Sequence, residues 1–149
     1  MGLNSRKNIC RVCLRNRMYY KFYAYGHPNI FATHKTTLEF TKGVDVSLNG
    51  DCIVGVKADF DLEKIKEFIK NSENKKISIT IKSKKFQEII TAKLNPNFDN
   101  RKELVIRKTD FVSDRTFAIK ANKAAFELDR SLIAYLKEKN NKVKVLIEF

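Results

Sequence analysis

Apolar residues recur at every second position along most of this chain, in short runs closed by turn residues, and fall into helical spacing in only two stretches. Successive strand side chains point to opposite faces, so such alternation commits a segment to a sheet with one buried face. Residues 19–25 (YYKFYAY) place Tyr20, Phe22 and Ala24 on a core face and Tyr19, Lys21, Tyr23 and Tyr25 on the other. A turn follows at 26–29, where Pro28 bars helix at His27, then a short extended piece at 30–33. Residues 35–42 alternate with Thr36, Leu38 and Phe40 on one face and Thr37, Glu39 and Thr41 on the other. Alternation resumes at 44–48, and the Asn-Gly-Asp at 49–51 predicts a hairpin turn into a strand over 52–56, since Asn-Gly tolerates positive φ. Further strands are predicted over 77–81, 86–94, 104–107, 115–120 and 143–147.

The two helical stretches are equally specific. Leu62, Ile65, Phe68 and Ile69 share a face over 59–71, with Asp59 or Asp61 placed to cap the start. Asn122 is the expected N-cap of a second helix with Ala125, Leu128, Leu132 and Leu136 on its buried side. Roughly eight strands in consecutive runs with two helices predict an α+β fold. The sheet is expected to be mostly antiparallel, a strongly curved sheet or partial barrel with the two helices packed on it.

Charge narrows the partners. The chain carries a net +13, and its first acidic residue is Glu39, after Arg6, Lys7, Arg11, Arg15, Arg17, Lys21 and Lys35. A phosphate backbone is the common cellular partner for such a stretch, against the plainer reading of a solvated basic face. No apolar run approaches the roughly 20 residues of a membrane span, and no apolar block follows the basic start. The three cysteines do not read as a disulfide framework, so a soluble, cytoplasmic, reducing setting is expected.

Two functional readings compete. In the first, RNA or a ribonucleoprotein is bound by a basic and aromatic N-terminal surface. Arg11, Arg15, Arg17, Lys21 and Lys35 hold phosphates, while Tyr19, Tyr23 and Tyr25 stack on bases. In the second, the chain is a small enzyme acting on an anionic, for example phosphorylated, substrate. Here His27 or His34 is the acid/base, Glu39 or Asp51 orients the imidazole, and Lys35, Thr36, Thr37 and Arg115 hold the anion. If 26–39 folds back beside the Asp51-Cys52 turn, two imidazoles, a carboxylate and a thiol meet. The plainer alternative is that both histidines cap backbone groups and Arg115 pairs with a carboxylate. A basic subunit of a larger assembly is a third reading. No cofactor is expected, except that Cys10 and Cys13 form half of a zinc site whose other half would have to come from Cys52, His27 or His34.

Three runs carry a resemblance: GHPNIFATHKTTLEFTK at 26–42, GDCIVGV at 50–56 and IRKTDFVSDRTFAIKANKAA at 106–125. They resemble an archaeal family known only as domain of unknown function 371, over about residues 20–148. The resemblance implies an archaeal cytosolic source and brings no activity. Its motifs fall on His27, Asn29, His34, Thr36, Thr37, Glu39, Asp51, Cys52 and Arg115. It starts near Met18, which divides the chain into a basic arm at 1–17, an extension or start-site artefact, and a single domain at 18–149.

Overall fold

The computed structural model describes residues 18–72 and 75–149. In chain order the elements are β1 (Tyr19–Tyr25), β2 (Thr37–Thr41), β3 (Ile53–Gly55), α1 (Leu62–Lys70), β4 (Lys76–Lys82), β5 (Gln87–Leu94), β6 (Glu103–Arg107) and β7 (Thr116–Ile119). A 3-10 turn (Ala125–Glu127), α2 (Arg130–Leu136) and β8 (Lys142–Glu148) complete them. All eight strands join one mixed sheet in the order β1-β8-β4-β5-β7-β6-β2-β3. The pairings are antiparallel except for β6 with β7 and β2 with β3. The α+β class and the mostly antiparallel sheet are therefore as the alternation predicts. The ladder is not closed. Its outermost strands meet only beyond the end of β3, where Tyr25 and Val56 exchange two 2.8 Å hydrogen bonds.

One sheet face carries the core. Phe22 and Ala24 of β1, Val143, Val145 and Ile147 of β8, and Ile77, Ile79 and Ile81 of β4 are all buried, as the period of two requires. Phe40, Phe22, Phe60, Phe98 and Phe117 run through it as a chain of tilted or edge-on rings with centroids 5.5–6.5 Å apart. These are separations at which ring quadrupoles attract.

α1 begins where its sequence says. Asp61 accepts from the amides of Glu63 (2.9 Å) and Lys64 (3.3 Å), while the rival cap, Asp59, instead accepts from the Tyr23 amide of β1 at 2.7 Å. Asp61→Ala is expected to cost about 1 kcal/mol, measured by urea unfolding. An unchanged midpoint would mean that the helix start is held by packing instead.

Three expectations are corrected. Residues 44–48 form no strand: Val46 is buried, but Val44 and Leu48 are 58% and 74% exposed. Neither Asn49 nor Gly50 adopts a positive φ, so the hairpin geometry is absent, and 42–52 is instead the crossover that parallel pairing of β2 with β3 demands. Asn122 caps no helix. It exchanges hydrogen bonds with Thr91 of β5, and α2 starts later, capped by Asp129. An extended Leu128 separates the 3-10 turn from α2, yet Ala125, Leu128, Leu132 and Leu136 are all buried as their spacing predicts.

Candidate functional site

Two places on the fold gather chemistry, and the register of the strands creates both. The first is the sheet face opposite the core. Across β1 and β8, Tyr23 faces Lys144, Tyr25 faces Lys142 and Lys21 faces Leu146. Across β8 and β4, Lys144 faces Lys82 and Leu146 faces Thr80. Directly opposed residues share a face, so three neighbouring strands present lysines and tyrosines together, with Glu148 as the acid among them. At one end, where α2 approaches, a groove of about 1080 Å³ is lined by Lys82, Lys84, Lys85, Lys142 and Lys144 with the rings of Tyr23, Phe86 and Tyr135. Towards the other end of β4, a second groove of about 980 Å³ is lined by Lys75, Lys76, Lys93 and Lys120. The Lys142 ammonium stands 4.2 Å from the centre of the Tyr23 ring, a cation–π distance. Tyr19 is exposed, Tyr23 is half-buried, and Tyr25 packs against the core beside its bridge to Val56.

The second place is the outer side of β2. Its alternation suggests one polar, open face, but β2 lies between β6 and β3, and Thr37, Glu39 and Thr41 are buried along with Leu38 and Phe40. Glu39 is 4% exposed. Its Oε1 accepts from the Cys52 thiol at 3.5 Å and lies 3.8 Å from Arg115 Nη1, which itself donates to Glu103 Oε1 at 2.9 Å. Burial, then the neighbouring Glu103, raises the Glu39 carboxyl to about 7 against the pull of Arg115. This group can therefore take or give a proton near neutrality. Burial and the same carboxylate push the Cys52 thiol up to about 12, so it stays protonated and is no nucleophile at neutral pH.

The histidines are placed differently from the enzyme reading. His34 Nδ1 accepts from the amides of Thr36 (3.2 Å) and Thr37 (3.1 Å) and from the Thr37 hydroxyl (2.8 Å). His27 Nδ1 accepts from the Asn29 amide at 3.0 Å, and its Nε2 lies 3.8 Å from Asp45. Each imidazole thus caps backbone groups, and a neutral ring in that role carries its proton on Nε2. The 26–39 segment does fold back on the Asp51-Cys52 turn, because the Asp51 carbonyl accepts from the amides of Thr33 and His34. Only His34 joins the β2 site, through Thr37; His27 stands apart against Asp45. Backbone amides and Thr37, rather than Asp51 or Glu39, orient His34. Lys35 and Thr36 are exposed in the loop before β2, which is the seventh strand in an order that begins with β1. The expected phosphate contacts Arg11, Arg15 and Arg17 and the zinc candidates Cys10 and Cys13 lie outside the described residues. Among the described residues, no group of three or more His, Cys, Asp or Glu is arranged to hold a metal ion.

Sequence reasoning missed three contributors. The lysines of β4 and β8 form the polar half of an alternating pattern, a signal that any solvated strand face also carries. Arg107 carries no local signal beyond being a basic residue before Lys108. Arg130 reaches four carbonyls, those of Phe31, Ala32, Ala125 and Leu128, and so ties the loop before β2 to α2. No local pattern announces such a clamp.

Residues 22–149 match the sequence profile of the family described as Domain of unknown function (DUF371). An uncharacterized protein of the archaeon Methanocaldococcus jannaschii is 36% identical, over 77% of this chain and 88% of its own length. Among the described residues, no helix is long and apolar enough to cross a membrane.

Proposed function

This chain belongs to the DUF371 family, a membership that brings no activity with it, and we propose that it binds single-stranded RNA along the open face of β1, β8 and β4. One observation carries the reading. Two lysine-lined grooves lie at either end of the same uncovered sheet face, with Tyr19 and Tyr23 beside them. Lysines hold phosphates as point charges, and the exposed Tyr19 ring, with the part of Tyr23 that Lys142 leaves open, offers a π-face on which a splayed base stacks. A duplex hides its bases and would use the cations alone, so a face that combines both suits a single strand better. The seven residues of β4 extend about 20 Å at roughly 3.3 Å per residue, room for a short stretch of strand rather than a long wrap. Lys21 on β1 adds a further cation to this surface; Lys35 lies in the loop before β2, away from it.

The test is a salt series of binding to a short single-stranded RNA and to duplex DNA of matched length, with wild type and a Lys82→Ala/Lys142→Ala/Lys144→Ala variant. Each lost lysine–phosphate contact on a single strand should lower the slope of log affinity against log salt by about 0.7. The triple variant is therefore expected to bind more weakly and with a slope smaller by about 2. Equal binding by wild type and variant, or duplex held as tightly as single strand, would sink the reading.

A further inference from the structure

Arg107 is a cation that no carboxylate among the described residues answers directly. It sits half-buried at the end of β6, on the polar side that β6 shares with Glu39 of β2. Its Nε donates to Thr116 Oγ1 at 2.9 Å, and its guanidinium carbon lies 4.9 Å from the centre of the exposed Phe111 ring. Among the described residues its two terminal nitrogens have no carboxylate partner. Burial, and after it the charge of Arg115, depress its pKa from the usual guanidinium value, so the two cations repel each other across this site. Glu103 answers Arg115 directly. Nothing comparable answers Arg107.

We propose that the fork of Arg107, held in place by the buried Thr116 hydroxyl and flanked by Arg115 and the Phe111 ring, binds the oxyanion of a small organic molecule, and that Glu39 takes up a proton when it does. A planar guanidinium presents paired donors that match phosphate or carboxylate, and Phe111 supplies apolar surface for the body of the ligand. An incoming anion stands beside Glu39 as a like charge, and two neighbouring anions in a buried site do not both stay ionised. The groups around Glu39 are Cys52 just before β3, on which Asp51 acts in turn, Glu103 from β6, Arg115 from the approach to β7, Arg107 of β6 within reach of its charge, and Thr37 with His34 behind it. The Glu39 carboxyl itself is held at about 7. The site lies on β2, β6 and β7, away from the β1–β8–β4 face, and does not depend on the RNA reading.

Calorimetric titration with sodium sulfate tests it, because sulfate is an oxyanion that does not itself titrate in this range. Measurements are made at pH 6 and pH 8, at constant ionic strength, in two buffers of different ionisation enthalpy. With Glu39 titrating at about 7, affinity should fall about tenfold from pH 6 to pH 8, and binding near pH 7 should draw a proton from the buffer. Phenyl phosphate should bind more tightly than sulfate. Arg107→Lys, which keeps the charge but loses the fork, and Arg107→Gln should both abolish binding. Glu39→Gln should bind with no pH dependence, and His34→Gln should keep the wild-type dependence. The triple lysine variant should bind sulfate as wild type does. Should an arginine variant fail to fold, proton uptake by the wild-type protein still decides. Sulfate binding that is independent of pH, or that survives Arg107→Gln, or that is lost only in the triple lysine variant, overturns the proposal.

Discussion

Gly26→Ala is expected to destabilise the folded chain by about 3 kcal/mol, at the upper end of what overpacking costs. A Cβ placed on Gly26 would stand 2.3 Å from the Glu138 carbonyl oxygen and 2.5 Å from that of Leu136. Both obstacles are backbone, so no side chain can swing aside. The glycine cannot retreat either: its own amide donates to Asn141 at 2.8 Å, and the next amide, His27, donates to Leu136 at 2.9 Å. Relief would require separating the end of β1 from the turn that follows α2, where the first groove also lies. Gly43→Ala is the internal control, since its Cβ would meet nothing nearer than the Thr41 hydroxyl at 3.5 Å. Urea unfolding of both variants checks the contrast. Equal midpoints would show that the junction yields more readily than its hydrogen bonds suggest.

Glu39→Gln should stabilise the protein at pH 8 and leave it nearly unchanged at pH 5. The folded chain holds the Glu39 proton up to about 7, against an ordinary 4.5 for the unfolded chain. Stability contributed by the buried, protonated carboxyl is complete below 4.5 and is lost as pH rises through about 7. By linkage the full loss is about 3 kcal/mol at pH 8. Glutamine cannot ionise, so it escapes this loss. Its carbonyl can still accept from Cys52, and its amide can donate to Glu103. Part of the gain is offset because Arg115 loses an anion, which makes that figure an upper bound. Unfolding curves at both pH values, compared at equal slope, give the answer. A variant less stable than wild type at pH 8 would mean that Glu39 is ionised and held by Arg115, and the proton uptake proposed for the Arg107 site would fall with it.

The strands that the sequence located best are those whose partners reinforce their own alternation. β1 spans Tyr19–Tyr25 as its aromatic pattern predicts, and β8 and β4 follow the isoleucines and valines that face the core. α1 was equally legible, because a capping carboxylate and a 3.6-residue spacing act within one turn of chain. The failures share another origin. The hairpin at 49–51 looked sound from its turn residues, but turn chemistry cannot forbid a parallel pairing formed by strands elsewhere. Asn122 had the chemistry of a cap, and an adjacent strand offered its side chain a better partner.

The candidate sites divide in the same way. His34, Thr37, Glu39, Cys52 and Arg115 were singled out from the chain, and the fold links them through Thr37, Glu39 and the Asp51 carbonyl. Their roles were not legible. The alternation places Glu39 only on a face with Thr37 and Thr41, and it is the crowding by Cys52, Glu103 and Arg115, brought from other elements, that encloses it, with burial and Glu103 raising its carboxyl. Arg107 gains its meaning from Arg115, Thr116 and Phe111, which are gathered around it by β7 and the loop that precedes it.

By itself the sequence determined the α+β class, the faces of β1, β4 and β8, and the start of α1, because periodicity and capping are local properties of the chain. Only the tertiary structure decided that the lysines of β4 and β8 join the tyrosines of β1 on one open face, and that a glutamate in an alternating strand lies buried beside two arginines. Both depend on strand order and register, which are set by contacts between residues far apart in sequence and leave no local period to read.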